Sequence, residues 1–189
     1  MKRIAIFASG SGTNFEALVC ACENKAINGQ VVLMVCDKPG AYVITRALNH
    51  NVDMFVFNPK DYKGKALYEK EIVNKLNEYN IDLICLAGYM RICGETLLNA
   101  YLGRIINIHT ALLPSFKGAH GILDAYNYGV KVFGVTIHYV DSGVDSGKII
   151  AQRAFDYTEG DTLEMVEQKI HAIEHELYPE VLKKLCEGE

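Results

Sequence analysis

Asn107 and His109 stand two positions apart in the run RIINIH, so that in an extended strand both side chains leave the same side. They can converge on one atom, an uncharged N–H donor beside an imidazole able to give a hydrogen bond or a proton. A lone histidine at a strand end is more often structural than catalytic. The carboxyl end of a parallel strand, where open α/β sheets place their ligands, shifts that balance. Asp145, in the turn DSGVDSG, is the natural third member. Aspartate in a Gly/Ser turn is ordinary turn chemistry, and only a partner makes it interesting.

A second chemical signal is SGSGTN, a glycine-rich turn between an apolar run and a helical one. A dinucleotide fingerprint would need a third glycine where Phe15 stands, although Asp37 is loosely placed for ribose hydroxyls. A Walker loop would need a lysine, and this turn has none. What remains is a helix N-terminus with free N–H groups, glycines that admit a close ligand, and the hydroxyls of Ser11 and Thr13. That combination suits one phosphate. The alternative is that Gly10 and Gly12 merely let the chain turn tightly.

These residues need a scaffold, and the apolar pattern supplies one. Near-continuous runs at RIAIFA, VVLMVC, DMFVF, DLICLAG and RIINIH read as buried parallel strands. Helical stretches separate them: NFEALVCACENK, AYVITRALNH and DYKGKALYEKEIVNKLNEYN, the last with Leu67, Ile72, Leu76 and Tyr79 near one face. GVTIHYV and KIIAQRAFDY then follow one another across a short turn and should pair as an antiparallel hairpin. A final helix is expected from about Thr162 to Cys186, with Asp161 as N-cap and a kink at Pro179. The expected fold class is α/β, a doubly wound, mostly parallel sheet with an antiparallel edge hairpin.

The 189 residues, 50% of them apolar, suit one domain spanning 1–189. With no bilayer-length apolar run and no signal-peptide pattern, the expectation is a soluble, cytoplasmic protein. Six cysteines without zinc-ligand spacing read as buried thiols, and no metal is expected. A net charge of −4 with scattered Lys and Arg excludes a nucleic-acid grip and favours a small-molecule substrate.

The ordered set SGSGTN, LAGYMRI, NIH with LLPSFKG, GVTIHYVDSGVDSGKIIAQ and GDT before the last helix resembles the phosphoribosylglycinamide formyltransferases, across essentially the whole chain. The resemblance implies formyl transfer from 10-formyltetrahydrofolate, as cosubstrate, to the amine of glycinamide ribonucleotide in purine biosynthesis. It implies Gly12, Thr13 and Asn14 as phosphate contacts and Glu174 as a ligand of the ribose hydroxyls. Met90, Arg91, Ile92 and Cys93, with Asn107 and the turn from Asp141 through Val144 to Asp145, would form the folate pocket. Lys65 stands where the family often has an arginine near the folate's glutamate tail. The N-terminal half would bind the nucleotide phosphate, and the C-terminal half folate and the catalytic groups, in a monomer or homodimer with no membrane partner.

These residue types suit acyl transfer to an amine: Asn107 and His109 would stabilise the oxyanion, and Asp145 would favour the imidazolium and take up the amine's protons. Thr110-Ala111 replaces the family's usual Pro-Ser, and Lys148 a usual proline, putting loop rigidity in question. His120 could touch substrate or cap a helix, His138 reads as structural mid-strand, and His171 and His175 flank Glu174, His175 in a packing or solvated role. Larger formyl-folate users and a non-catalytic phosphate-binding module are the rivals, the former expected to carry an extra domain.

Overall fold

A computed structural model describes residues 1–188 of the chain. Seven strands form one sheet: β1 (Lys2–Ala8), β2 (Gly29–Cys36), β3 (Asp53–Val56), β4 (Leu83–Leu86), β5 (Ile105–His109), β6 (Val132–Tyr139) and β7 (Ile149–Asp156). Their order is β3-β2-β1-β4-β5-β6-β7. The first five pair in parallel, and β6 and β7 add antiparallel, as the short turn between them requires.

The period-two alternation of β1 shows how both faces are covered. Ile4, Ile6 and Ala8 pack on one side with Phe15 and Leu18 of α1 (Thr13–Glu23) and Val166, Ile170 and Tyr178 of α6 (Leu163–Glu187). Ala5 and Phe7 pack on the other with Tyr68, Ile72 and Leu76 of α3 (Lys65–Glu78) and Leu97 of α4 (Glu95–Ala100). Helices on both faces make the sheet doubly wound. The remaining helices are α2 (Val43–Asn49) and α5 (Gly121–Tyr128).

Three details differ from the sequence reading. The third helix begins at Lys65, after a 3-10 turn at Pro59–Asp61, and buries Tyr68, Glu69, Ile72 and Leu76, while Leu67 is 51% exposed. The α6 cap is Thr162, whose hydroxyl accepts from the Met165 N–H at 3.3 Å. Asp161 is instead buried, accepting from the Thr158 N–H and pairing with Lys169. Helices α4 and α5, at 6 and 8 residues, are too short to show a clear apolar period.

Helix α6 continues through Pro179, and the buried hydroxyl of the preceding Tyr178 donates to the carbonyls of Leu86 (2.9 Å) and Ile106 (3.3 Å) at β4 and β5. That contact fixes α6 against the strands whose ends carry Asn107 and His109. Among the described residues, no helix is long and apolar enough to cross a membrane.

Candidate functional site

A cavity of about 480 Å³ opens at the carboxyl edge of the sheet, where a doubly wound fold collects its ligands. Its walls come from the turns after β1 and β4, the end of β5, the turn between β6 and β7, and α6.

Asn107, His109 and Asp145 meet in this cavity. The buried His109 ring donates through Nε2 to the Phe116 carbonyl at 2.7 Å, since a carbonyl can only accept. Its Nδ1 lies 3.5 Å from Asp145 Oδ2. The Asn107 amide directs its N–H groups toward His138 Nε2 at 3.2 Å and Asp145 Oδ1 at 3.5 Å. Gly118 N–H donates to Asp145 Oδ2 at 2.7 Å, and Asp145 sits at φ 47. The contact with His138, assisted by Gly118 and by the charge of His109, outweighs burial and holds the Asp145 carboxyl below its ordinary pKa.

His138 is therefore part of this cluster, against the expectation of a purely structural residue. It is buried, its Nδ1 donates to the Tyr139 carbonyl at 2.8 Å, and Nε2 lies 3.5 Å from Asp145 Oδ1. Its position follows from strand register: antiparallel pairing sets His138 directly across from Asn107. Such pairing of GVTIHYV with RIINIH is the signal that could have found it.

The loop after His109 is held despite its Thr110-Ala111 sequence. Thr136 Oγ1 donates to the Ala111 carbonyl at 2.7 Å and accepts from Leu113 N–H at 3.1 Å, while Gln152 donates to the Leu113 carbonyl at 2.9 Å. His120 takes the N-cap position of α5 without a side-chain cap bond, and is exposed.

The glycine turn lies against the same cavity. Gly12 occupies the N-cap of α1 at φ 76, and a Cβ there would meet Val43 Cγ2 at 2.5 Å. Both facts require glycine, so the turn serves close packing as well as any ligand. Thr13 is exposed, and the N-terminal N–H groups of α1 favour an anion. Asn14 Nδ2 donates to Glu174 Oε1 at 3.0 Å, and His171 Nδ1 donates to Glu174 Oε2 at 2.6 Å. Hydrogen bonding to Glu174 raises the His171 pKa, whereas burial lowers that of His175, a packing residue whose Nε2 has no partner among the described residues. Asn14 Oδ1 is likewise buried without a partner among the described residues, an acceptor that a ligand hydroxyl or N–H would satisfy.

The remaining wall runs from Gly88 to Cys93. Met90 and Ile92 are exposed, Cys93 is buried, and Arg91 donates to Asp37 at 2.8 Å. Lys65 lies behind this wall, donating to the Ile92 carbonyl at 2.7 Å. Opposite, Asp141 accepts from Ser146 Oγ at 2.6 Å and Gly143 N–H at 3.0 Å, shaping the turn that presents Val144. The Ser146 bond lowers the Asp141 pKa. Away from the cavity, Glu16, Cys20 and His50 place donor atoms within 4.8 Å of one another. Arg46 occupies Glu16, and both His50 nitrogens already face carboxylates of Glu16 and Glu23, so an ion-pair network accounts for the group.

The family model described as formyl transferase matches residues 2–182. The chain belongs to the formyl transferase family. It is 51% identical to a phosphoribosylglycinamide formyltransferase of Bacillus subtilis (strain 168), over 98% of this chain and 95% of that one. Among solved structures it resembles glycinamide ribonucleotide transformylase 1 from Geobacillus kaustophilus, with a TM-score of 0.96, 54% identity and coverage of 98% and 99% of the two chains. It also resembles phosphoribosylglycinamide formyltransferase from Bacillus halodurans, with a TM-score of 0.95, 53% identity and coverage of 97% and 95%. Both solved structures match this chain over nearly its whole length and so share its architecture.

Proposed function

We infer that this chain transfers a formyl group from 10-formyltetrahydrofolate to the amine of glycinamide ribonucleotide, the step of purine biosynthesis for which its relatives are named. The observation that carries the reading is the meeting of Asn107, His109 and Asp145 in one cavity with the glycine turn, joining a cluster for acyl chemistry to an anion site. The amine nitrogen attacks the formyl carbon, a C–N bond forms, and the formyl oxygen becomes an oxyanion. Asn107 donates to it, using the N–H directed at Asp145, the longer of its two contacts. His109 donates through Nδ1, the nitrogen not held by Phe116. Collapse breaks the bond to N10 of the folate, which takes a proton from His109 Nδ1, while the amine's proton passes to Asp145 and from there restores His109. No covalent enzyme intermediate is required.

In this reading Gly12, Thr13 and Asn14 hold the phosphate and Glu174 the ribose hydroxyls, its second oxygen paired with His171. Met90, Arg91, Ile92, Cys93, Asn107, Asp141 and Val144 surround the folate, and Lys65 supports the Ile92 carbonyl at the approach of its tail. The chain works as one domain, 1–189, the N-terminal half supplying the phosphate turn and the C-terminal half the catalytic trio and folate turn. It acts in the cytoplasm as a monomer or homodimer, without nucleic acid or membrane.

The test is a coupled assay with purified protein, 10-formyltetrahydrofolate and glycinamide ribonucleotide, following the released folate by absorbance. Formylated nucleotide in step with folate release is expected. Release of free formate with no formylated nucleotide would refute the reading.

A further inference from the structure

Asp37 has no part in the chemistry above, yet it is a carboxylate with no exposed side-chain surface. Burying an ionised carboxylate is strongly unfavourable unless a countercharge and hydrogen bonds compensate. The groups that compensate here all lead to the wall after β4. Arg91 Nε donates to Asp37 Oδ2 at 2.8 Å. Ser9 Oγ donates to Asp37 Oδ1 and accepts from the Met90 N–H at 2.9 Å. Ser9, Asp37 and this wall follow β1, β2 and β4, which are neighbours in the sheet, so one carboxylate ties three strand ends together.

Tyr89 and Cys93 pin the two flanks of the wall to the core, but the side chains between them do little to hold it. Met90 and Ile92 are 60% and 56% exposed, so backbone hydrogen bonds must fix the conformation there. The far end is anchored in the same manner by Glu69, buried on α3, which accepts from the Gly94 N–H at 2.6 Å. An acidic residue after the second strand could have served the ribose of a dinucleotide; burial beneath Arg91 removes Asp37 from that role.

We propose that Asp37 is a positioning residue for the formyl donor: through Arg91 and Ser9 it holds Met90 to Ile92 in the conformation that recognises the folate heterocycle, without touching it. This rests on the assignment of that wall to folate. Loss of the tie should loosen binding of the donor while leaving the nucleotide turn and the catalytic trio in place, since neither contacts Asp37.

The test uses the full chain and the variants Asp37→Asn, Ser9→Ala and Arg91→Lys, with Tm measured for each. Both substrates are varied in the transfer assay, and a non-reactive dideazafolate is titrated directly. Asp37→Asn keeps an acceptor for Ser9 but loses the charge. It should raise the KM of the formyl donor and the analogue Kd about tenfold, with kcat and the nucleotide KM within about twofold. Ser9→Ala should give a smaller rise, and Asp37→Asn with Arg91→Lys should be no worse than the more affected single variant, because both break one contact. Unchanged donor KM, equal increases for both substrates, or additive losses in the double variant overturn the proposal. Should Asp37→Asn fail to fold, Ser9→Ala decides by the same split. A wild-type chain without transfer activity whose analogue affinity still falls in Asp37→Asn supports the proposal and removes the activity reading. One that binds no analogue overturns both.

Discussion

Replacing Asp145 by Asn tests the catalytic geometry with little disturbance of shape. Asparagine has nearly the same volume and tolerates the positive φ of 47 found there, and its oxygen can still accept from Gly118. What disappears is a charge 3.5 Å from His109 Nδ1 and 3.5 Å from His138 Nε2. Two unit charges at that separation interact by about 5 kcal/mol at an effective dielectric of about 20. Only the part that keeps His109 in its charged, donating form in the transition state affects the rate, and we take a third to a half, about 1.7–2.5 kcal/mol. That corresponds to roughly a 20- to 70-fold loss in kcat. The new amide would also turn an N–H donor toward the Asn107 amide, which itself donates there. Steady-state formyl transfer at pH 7.5, with circular dichroism as a fold control, measures the effect. A folded Asp145→Asn enzyme within about threefold of wild type would show that the carboxylate does not support His109, and the mechanism above would fall.

Asn107→Ala and His109→Ala should each lower kcat by about a hundredfold or more while nucleotide binding, measured by calorimetry, persists. Gly12→Ala should destabilise by about 1–3 kcal/mol, from left-handed strain and overlap with Val43, read by urea unfolding; an unchanged midpoint would contradict the packing described. The Asp145 pKa is depressed on folding, so its stabilising contribution is present above the unfolded value near 4 and disappears as pH falls through the lower folded value. The Tm gap between wild type and Asp145→Asn should therefore persist at pH 5 and close only below about pH 4. His50 has the opposite sign: hydrogen bonding to Glu16 raises its folded pKa, so the stability it contributes is fully present below its unfolded value near 6.5 and vanishes as pH rises through the folded one. His50→Ala should cost more Tm at pH 6 than at pH 9, and an equal loss at both would exclude the ion pair.

The sequence patterns that proved legible were those whose cause is local. Four buried strands could be read from continuous Val, Ile and Leu runs because both faces of a parallel sheet are covered, whereas β3, read as buried too, lies at the sheet edge with no fully buried residue; Asn107 and His109 share a side through simple alternation. Features set by distant contacts were harder to read. His138 joined the cluster through the register of β6 on β5, and Asp161 lost the capping role to Thr162 because Lys169 and Thr158 claimed it. Leu67 fell outside the buried stripe because the helix starts at Lys65 and turns Tyr68 and Ile72 inward. Asp37 suggested a ribose contact from position alone, whereas burial under Arg91 made it part of the scaffold.

Tyr178 and Glu174 lie one turn apart on α6, so the element that bolts onto the strand carbonyls is also the one that brings Glu174 to Asn14 in the cavity wall. A substitution that shifts α6 on the sheet would therefore be felt at Glu174 as well, because the packing of the helix and the placement of that carboxylate form one mechanical unit.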